Sequence, residues 1–155
     1  MKSSNLFIVT LACLFPLGLL FGQADSANMP PVFDHAALHV HDLQRSVDFY
    51  EKVMQLEKIT EPFKDGRHVW FRIGPHEQLH LIGSAADTAY HDIDVHLAFR
   101  VPSLSDFLIH LGLMKVKYWS TKREENIVTI RPDGIKQVYL QDPDGYWIEV
   151  NDSRP

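Results

Sequence analysis

At 155 residues, 45% hydrophobic and 23% charged, the chain has the composition of an ordinary globular protein, long enough for one domain with a core of its own. A net charge of -5, with Lys and Arg scattered rather than clustered, argues against nucleic acid and anionic membrane as partners. The one cysteine, Cys13, lies near the amino terminus, so disulfides and thiolate metal ligands are excluded from everything after it.

Lys2, the apolar stretch Leu6 to Phe21 and the small residues around Ala24 read as a secretory signal peptide over residues 1–24. Cleavage after Ala24 or after Ala27 fits equally well. The stretch falls short of the roughly 20 apolar residues of a spanning helix and contains Pro16 and Gly18. The mature protein is therefore expected to be exported, periplasmic or extracellular, with no membrane attachment. Residues 25–31, ending in two prolines, read as a linker, and the folded domain is expected over residues 32–152.

From Phe33 to Val40 the residues alternate, with His35, Ala37 and His39 on one face and Ala36, Leu38 and Val40 on the other, which is a strand. Asp42 can cap a following helix whose core-facing stripe is Leu43, Val47, Tyr50 and Met54. Strands are expected at Leu56 to Pro62, at Arg67 to Ile73 after the turn signal Lys64-Asp65-Gly66, and at Gln78 to Ile82 after Gly74-Pro75. The aperiodic segment from Gly83 to Asp94 links to a second round. There the strand His96 to Val101 leads into a helix capped by Ser103 and ended at Gly112. Strand candidates follow at Met114 to Trp119, Ile127 to Arg131, Lys136 to Gln141 and Tyr146 to Asn151, the last after the turn Asp142-Pro143-Asp144-Gly145. Trp70, Trp119 and Trp147 are assigned to the core or to packing at a dimer face.

HAALHVHDL from His35 and HLAFRVPSL from His96 open near-copies of one unit, so the order βαβββ is expected twice. The fold class is α+β: a curved mixed sheet with its helices on one face and a cavity on the other. His35 and His96 begin the first strand of each copy, while His80 and Glu149 lie in the last. Three imidazoles and a carboxylate at matched positions suggest one shared site for a divalent ion such as Zn, Fe, Ni, Mn or Co. His39 and Arg100 each follow the first-strand histidine by four positions and point into the same cavity. Histidines 41, 68, 76, 91 and 110 lack such placement; most are expected to face solvent, and none is assigned a role. Open edge strands point to a homodimer.

Two segments, HAALHVHDLQRSVDFYEKVMQL and VYLQDPDGYWIEVND, carry a resemblance to the vicinal oxygen chelate superfamily, which includes glyoxalase I, fosfomycin and bleomycin resistance proteins, methylmalonyl-CoA epimerase and extradiol dioxygenases. The resemblance implies metal ligands at His35, His80, His96 and Glu149, Glu149 as the base, and a dimer. Glyoxalase I usually has Glu or Gln where this chain has His80, and commonly an Arg that meets glutathione where this chain has His39. Arg100 is read as a clamp for an anionic group of the substrate. The implied function is a metal-dependent lyase or isomerase acting on a small oxygenated substrate. The alternatives are a non-haem iron dioxygenase using His35 or His80 with His96 and Glu149, or a small-molecule binding or resistance protein without turnover.

Overall fold

The computed structural model describes residues 30–86 and 89–154. The expected signal peptide of residues 1–24 with Cys13, and the cleavage positions Ala24 and Ala27, lie outside the described residues. Among the described residues no helix is long and apolar enough to cross a membrane.

The elements run β1 (His35–Val40), α1 (Leu43–Lys52), β2 (Glu57–Ile59), β3 (His68–Arg72), β4 (Gln78–Gly83), β5 (His96–Arg100), α2 (Leu104–Leu113), β6 (Thr129–Ile130), β7 (Lys136–Gln141) and β8 (Trp147–Asn151). The unit βαβββ thus occurs twice, as the repeat requires. Each copy forms its own four-stranded mixed sheet, in the orders β1-β4-β3-β2 and β5-β8-β7-β6, and the two are not joined into one. The first and last strands of a copy pair in parallel because α1 or α2 crosses between them, while the tight turns elsewhere give antiparallel neighbours.

Local signals set the helix starts. The Asp42 carboxylate accepts the Arg45 N–H at 3.1 Å, and the Ser103 hydroxyl accepts the Asp106 N–H at 3.2 Å. The ends differ from expectation, since α2 runs past Gly112 and the left-handed residue is Lys115 (φ 56), matching Gln55 (φ 56) after α1. That conformation lets the Val116 N–H reach the Leu111 carbonyl and the Leu56 N–H reach the Tyr50 carbonyl, turning both apolar side chains back onto the core. Met114 to Trp119 is not a strand; only Trp119 forms bridges, to Tyr139 and Glu125, and Thr129–Ile130 supplies the outer strand.

One apolar cluster takes side chains from both copies. It includes Leu38, Val40, Phe71, Leu79 and Leu81 from the first sheet, Val138, Leu140, Ile148 and Val150 from the second, and Val47, Tyr50, Leu104 and Leu111 from the helices. By strand alternation, His35, His80, His96 and Glu149 stand on the faces turned away from this shared core.

The two copies are joined by the segments that stand out in the sequence. From α1, the Ser46 hydroxyl donates to Asp144 at 2.8 Å and the Tyr50 hydroxyl donates to Asp142 at 2.9 Å, both buried. Asp142 also accepts the N–H groups of Asp144 and Tyr146, and Gly145 closes the turn at φ +86, where a side chain would be strained. From the other side, His110 on α2 reaches the carbonyls of Lys52 and Val53 at 3.0 and 3.1 Å, capping α1 instead of facing solvent.

Burial pushes the Asp142 carboxyl up to about 6, outweighing its three donors, which favour the ionised form. A carboxyl that binds its proton more tightly when folded makes the folded state gain stability as pH falls, here through the window from about 6 down to its unfolded value near 4. A shift of about two pH units corresponds to at most about 3 kcal/mol. The stability of wild type relative to Asp142→Asn should therefore rise by up to that amount between pH 7 and pH 4, as read from denaturant melts. A difference that stays constant across this range would contradict the assignment.

Candidate functional site

Sheet register places the donors equivalently in the two copies. In the first, His80 of β4 lies across from Ala37 on one side and Trp70 on the other, with His35 one pleat along β1. In the second, Glu149 of β8 lies across from Ala98 and Tyr139, with His96 one pleat along β5. Both β1 and β5 are sheet edges, and their donor-side residues His35, Ala37, His39, His96, Ala98 and Arg100 are exposed.

The first pair is aromatic in character. The His35 and His80 rings stack with centroids 4.2 Å apart, and Trp70 stacks on the other face of His80 at 3.9 Å and an interplanar angle of 5°. His35 Nδ1 lies 2.5 Å from the Asp34 carboxylate, an acceptor, so this nitrogen carries a proton and Nε2 is the ring nitrogen left for a ligand. His80 Nε2 is engaged by the Gln78 side-chain oxygen at 2.9 Å, leaving Nδ1 free. Burial, reinforced by His35, lowers the His80 pKa below the usual imidazole value, which favours the neutral ligating form.

The second pair is set in a polar network. His96 Nδ1 lies 2.7 Å from the Ile93 carbonyl, so it donates there and Nε2 is the ring nitrogen turned to the site. That Nε2 is 3.5 Å from Glu149 Oε2. The same oxygen accepts the Tyr139 hydroxyl at 2.7 Å, and Oε1 accepts the Asn151 amide at 2.6 Å. The Gln137 amide donates to the Tyr139 oxygen at 2.9 Å. Burial, and after it Glu149, raises the Tyr139 pKa, so the phenol stays protonated and remains a donor.

His96 Nε2 and the Glu149 oxygen attract one another only with a positive charge between them, either a proton on Nε2 or a metal ion. The proton fixed on Nδ1 by a backbone carbonyl is the usual support of a metal-binding imidazole. The chemistry of these donors thus fits a divalent ion of the borderline class. The arrangement is nevertheless two pairs: among the described residues, no group of three or more His, Cys, Asp or Glu donors gathers at one point.

His39 lies across from Ile82 on the donor face, and its carbonyl accepts the Tyr146 hydroxyl at 3.1 Å. Arg100 stands across from Asn151 and lines an open groove of about 680 Å³ with Ile73, Ala98 and Arg154. It makes no ion pair among the described residues. Trp147 and Trp119 meet edge to face at 5.7 Å and pack with Ile93 and Tyr139 into a small cluster on the donor face of the second sheet. His68 pairs with Asp65, and His91 stacks on Tyr146 at 3.8 Å.

Asp34, Trp70, Gln78, Gln137, Tyr139 and Asn151 escaped the sequence reading. One signal was available for two of them: Trp70 precedes His80 by 10 positions, and Tyr139 precedes Glu149 by 10. Aligning the two copies on His80 and Glu149 places the two aromatic residues together.

Residues 32–150 match the sequence model of the Glyoxalase/Bleomycin resistance protein/Dioxygenase superfamily. A lactoylglutathione lyase of Pseudomonas putida is 26% identical over 165 aligned positions, covering 86% of this chain and 91% of that protein. Among solved structures, the oxidase ChaP-H2 superposes with a TM-score of 0.67 at 21% identity, over 82% of this chain and 96% of its own. A lactoylglutathione lyase from Agrobacterium tumefaciens gives a TM-score of 0.60 at 20% identity, over 81% of this chain and 96% of its own. At these identities the structures establish a shared fold.

Proposed function

The chain belongs to the glyoxalase/bleomycin resistance protein/dioxygenase superfamily, and on that premise we propose that it is a metal-dependent enzyme of the lyase or isomerase type acting on a small oxygenated substrate. The observation that carries this reading is the His96–Glu149 pair, an imidazole nitrogen and a carboxylate oxygen 3.5 Å apart with each group supported from behind. His35, His80, His96 and Glu149 would hold the ion. A bound divalent ion supplies Lewis-acid stabilisation of negative charge developing on a chelating substrate oxygen.

The chain's own residues do the rest. Two hydrogen bonds fix the direction of Glu149, so an oxygen of Glu149 can take a proton from the carbon beside a substrate carbonyl. Arg100, on the open rim and free of ion pairs among the described residues, is placed to bind an anionic group of the substrate, and His39 occupies the matching position in the first copy. With residues 1–24 read as a signal peptide, the substrate is a free small molecule and not a glutathione adduct.

Completing the site takes a second copy of the chain, with His35 and His80 from one copy meeting His96 and Glu149 from the other. Two exposed edge strands and the placement of both donor faces away from the shared core support this dimer. Elemental analysis of protein purified without chelators tests the reading, and about one divalent ion per chain is expected. Protein that carries none and takes up none of Zn, Fe, Ni, Mn or Co on titration would refute it. Iron as the only supporting ion would favour the dioxygenase alternative.

A further inference from the structure

We propose that the third-strand residue directly across from the last-strand ligand in each copy, Trp70 in β3 and Tyr139 in β7, is a positioning residue matched to that ligand: an aromatic face for the His80 imidazole, a hydroxyl donor for the Glu149 carboxylate. This rests on the metal-binding reading above. The two residues occupy the same register, each directly across from the last-strand ligand of its own sheet.

In the second copy the hydrogen-bond logic is closed. The Tyr139 hydroxyl gives its single proton to Glu149 Oε2, so the Tyr139 oxygen is left to accept from Gln137. That fixes the Gln137 amide with its NH₂ toward Tyr139. Tyr139 therefore has one orientation and Glu149 one direction.

In the first copy every donor of this network is absent. The position of Asn151 is Ile82, and the position of Gln137 is His68, turned to Asp65. Trp70 offers no hydrogen bond to the ligand, and its indole N–H is the one buried side-chain polar atom without a partner among the described residues. What Trp70 supplies is a flat surface lying 3.9 Å from the His80 ring, which holds the imidazole between itself and His35. A carboxylate at position 80 would find no counterpart of the Tyr139 hydroxyl or the Asn151 amide there. The choice of His at 80 and the choice of Trp at 70 are thus one choice, as are Glu at 149 and Tyr at 139.

Zn²⁺ titration calorimetry on the full chain tests this, with apo-protein melts as a control on folding. Tyr139→Phe keeps the ring in its packed cluster, removes only the donor, and should weaken Zn²⁺ binding about 10- to 100-fold. His80→Glu alone should bind weakly, and adding Trp70→Tyr should recover about tenfold or more by supplying the hydroxyl donor that Tyr139 gives in the second copy, whereas Trp70→Tyr in the His80 background should cost affinity. Tyr139→Phe binding like wild type, or Trp70→Tyr acting equally in both backgrounds, would overturn the matching. Wild-type protein that binds no Zn²⁺ or other divalent ion would instead bring down the metal reading, and this inference with it.

Discussion

Changing Glu149 to Gln, or His96 to Ala, should reduce divalent-ion affinity by about two orders of magnitude or more. A four-ligand Zn²⁺ site binds with roughly 10–16 kcal/mol, so each ligand accounts for about 3 kcal/mol, and a factor of ten is 1.4 kcal/mol. The Gln substitution also tests charge separately from shape. Its amide keeps the volume of Glu149 but turns an NH₂ toward either Tyr139 or Asn151, both of which donate in the native network. These losses should exceed that of Tyr139→Phe, which removes support and leaves the ligand. His76, exposed on the turn before β4, should be replaceable by Ala without effect. His110 is a poor control because it caps α1. If the His76 and His96 variants lose metal equally, the ligand assignment is wrong.

Two variants that each bind no metal should regain it when paired in one dimer. His35→Ala/His80→Ala removes one half-site, and His96→Ala/Glu149→Gln removes the other. A mixed dimer isolated through two different affinity tags has one site built wholly from native residues, so it should carry about one ion per pair, where wild type carries about two. Closure within a single chain predicts no recovery at all.

Packing favours the shared site. Both donor faces lie on the outer side of one apolar cluster, and Ser46 and Tyr50 tie α1 to Asp144 and Asp142 in the turn before β8. Bringing the pairs together within one chain would break this joint and expose core side chains, each worth roughly 1.5–3 kcal/mol when buried. Association of two copies leaves both intact and covers the open edges of β1 and β5. A monomer by light scattering at tens of micromolar would contradict the arrangement.

The amino-acid sequence alone determined the repeat, the alternation that sets each strand's faces, the caps at Asp42 and Ser103, and the four donors at equivalent places. All of these depend on residues a few positions apart, and a backbone period of two or 3.6 fixes them without reference to the rest of the molecule. Strand parity correctly put His35 with His39, and His96 with Arg100, on the face away from the core. It could not say which sheet each face would meet. That the donors form two pairs within a chain, that Trp70 and Tyr139 stand behind them, that Met114 to Trp119 is drawn off by a bridge to Tyr139, and that the two conspicuous motifs bind each other through Ser46–Asp144 and Tyr50–Asp142 were decided by tertiary structure. Contacts spanning 92 and 98 positions leave no trace in local periodicity, because they depend on how two separately folded sheets settle on one common core.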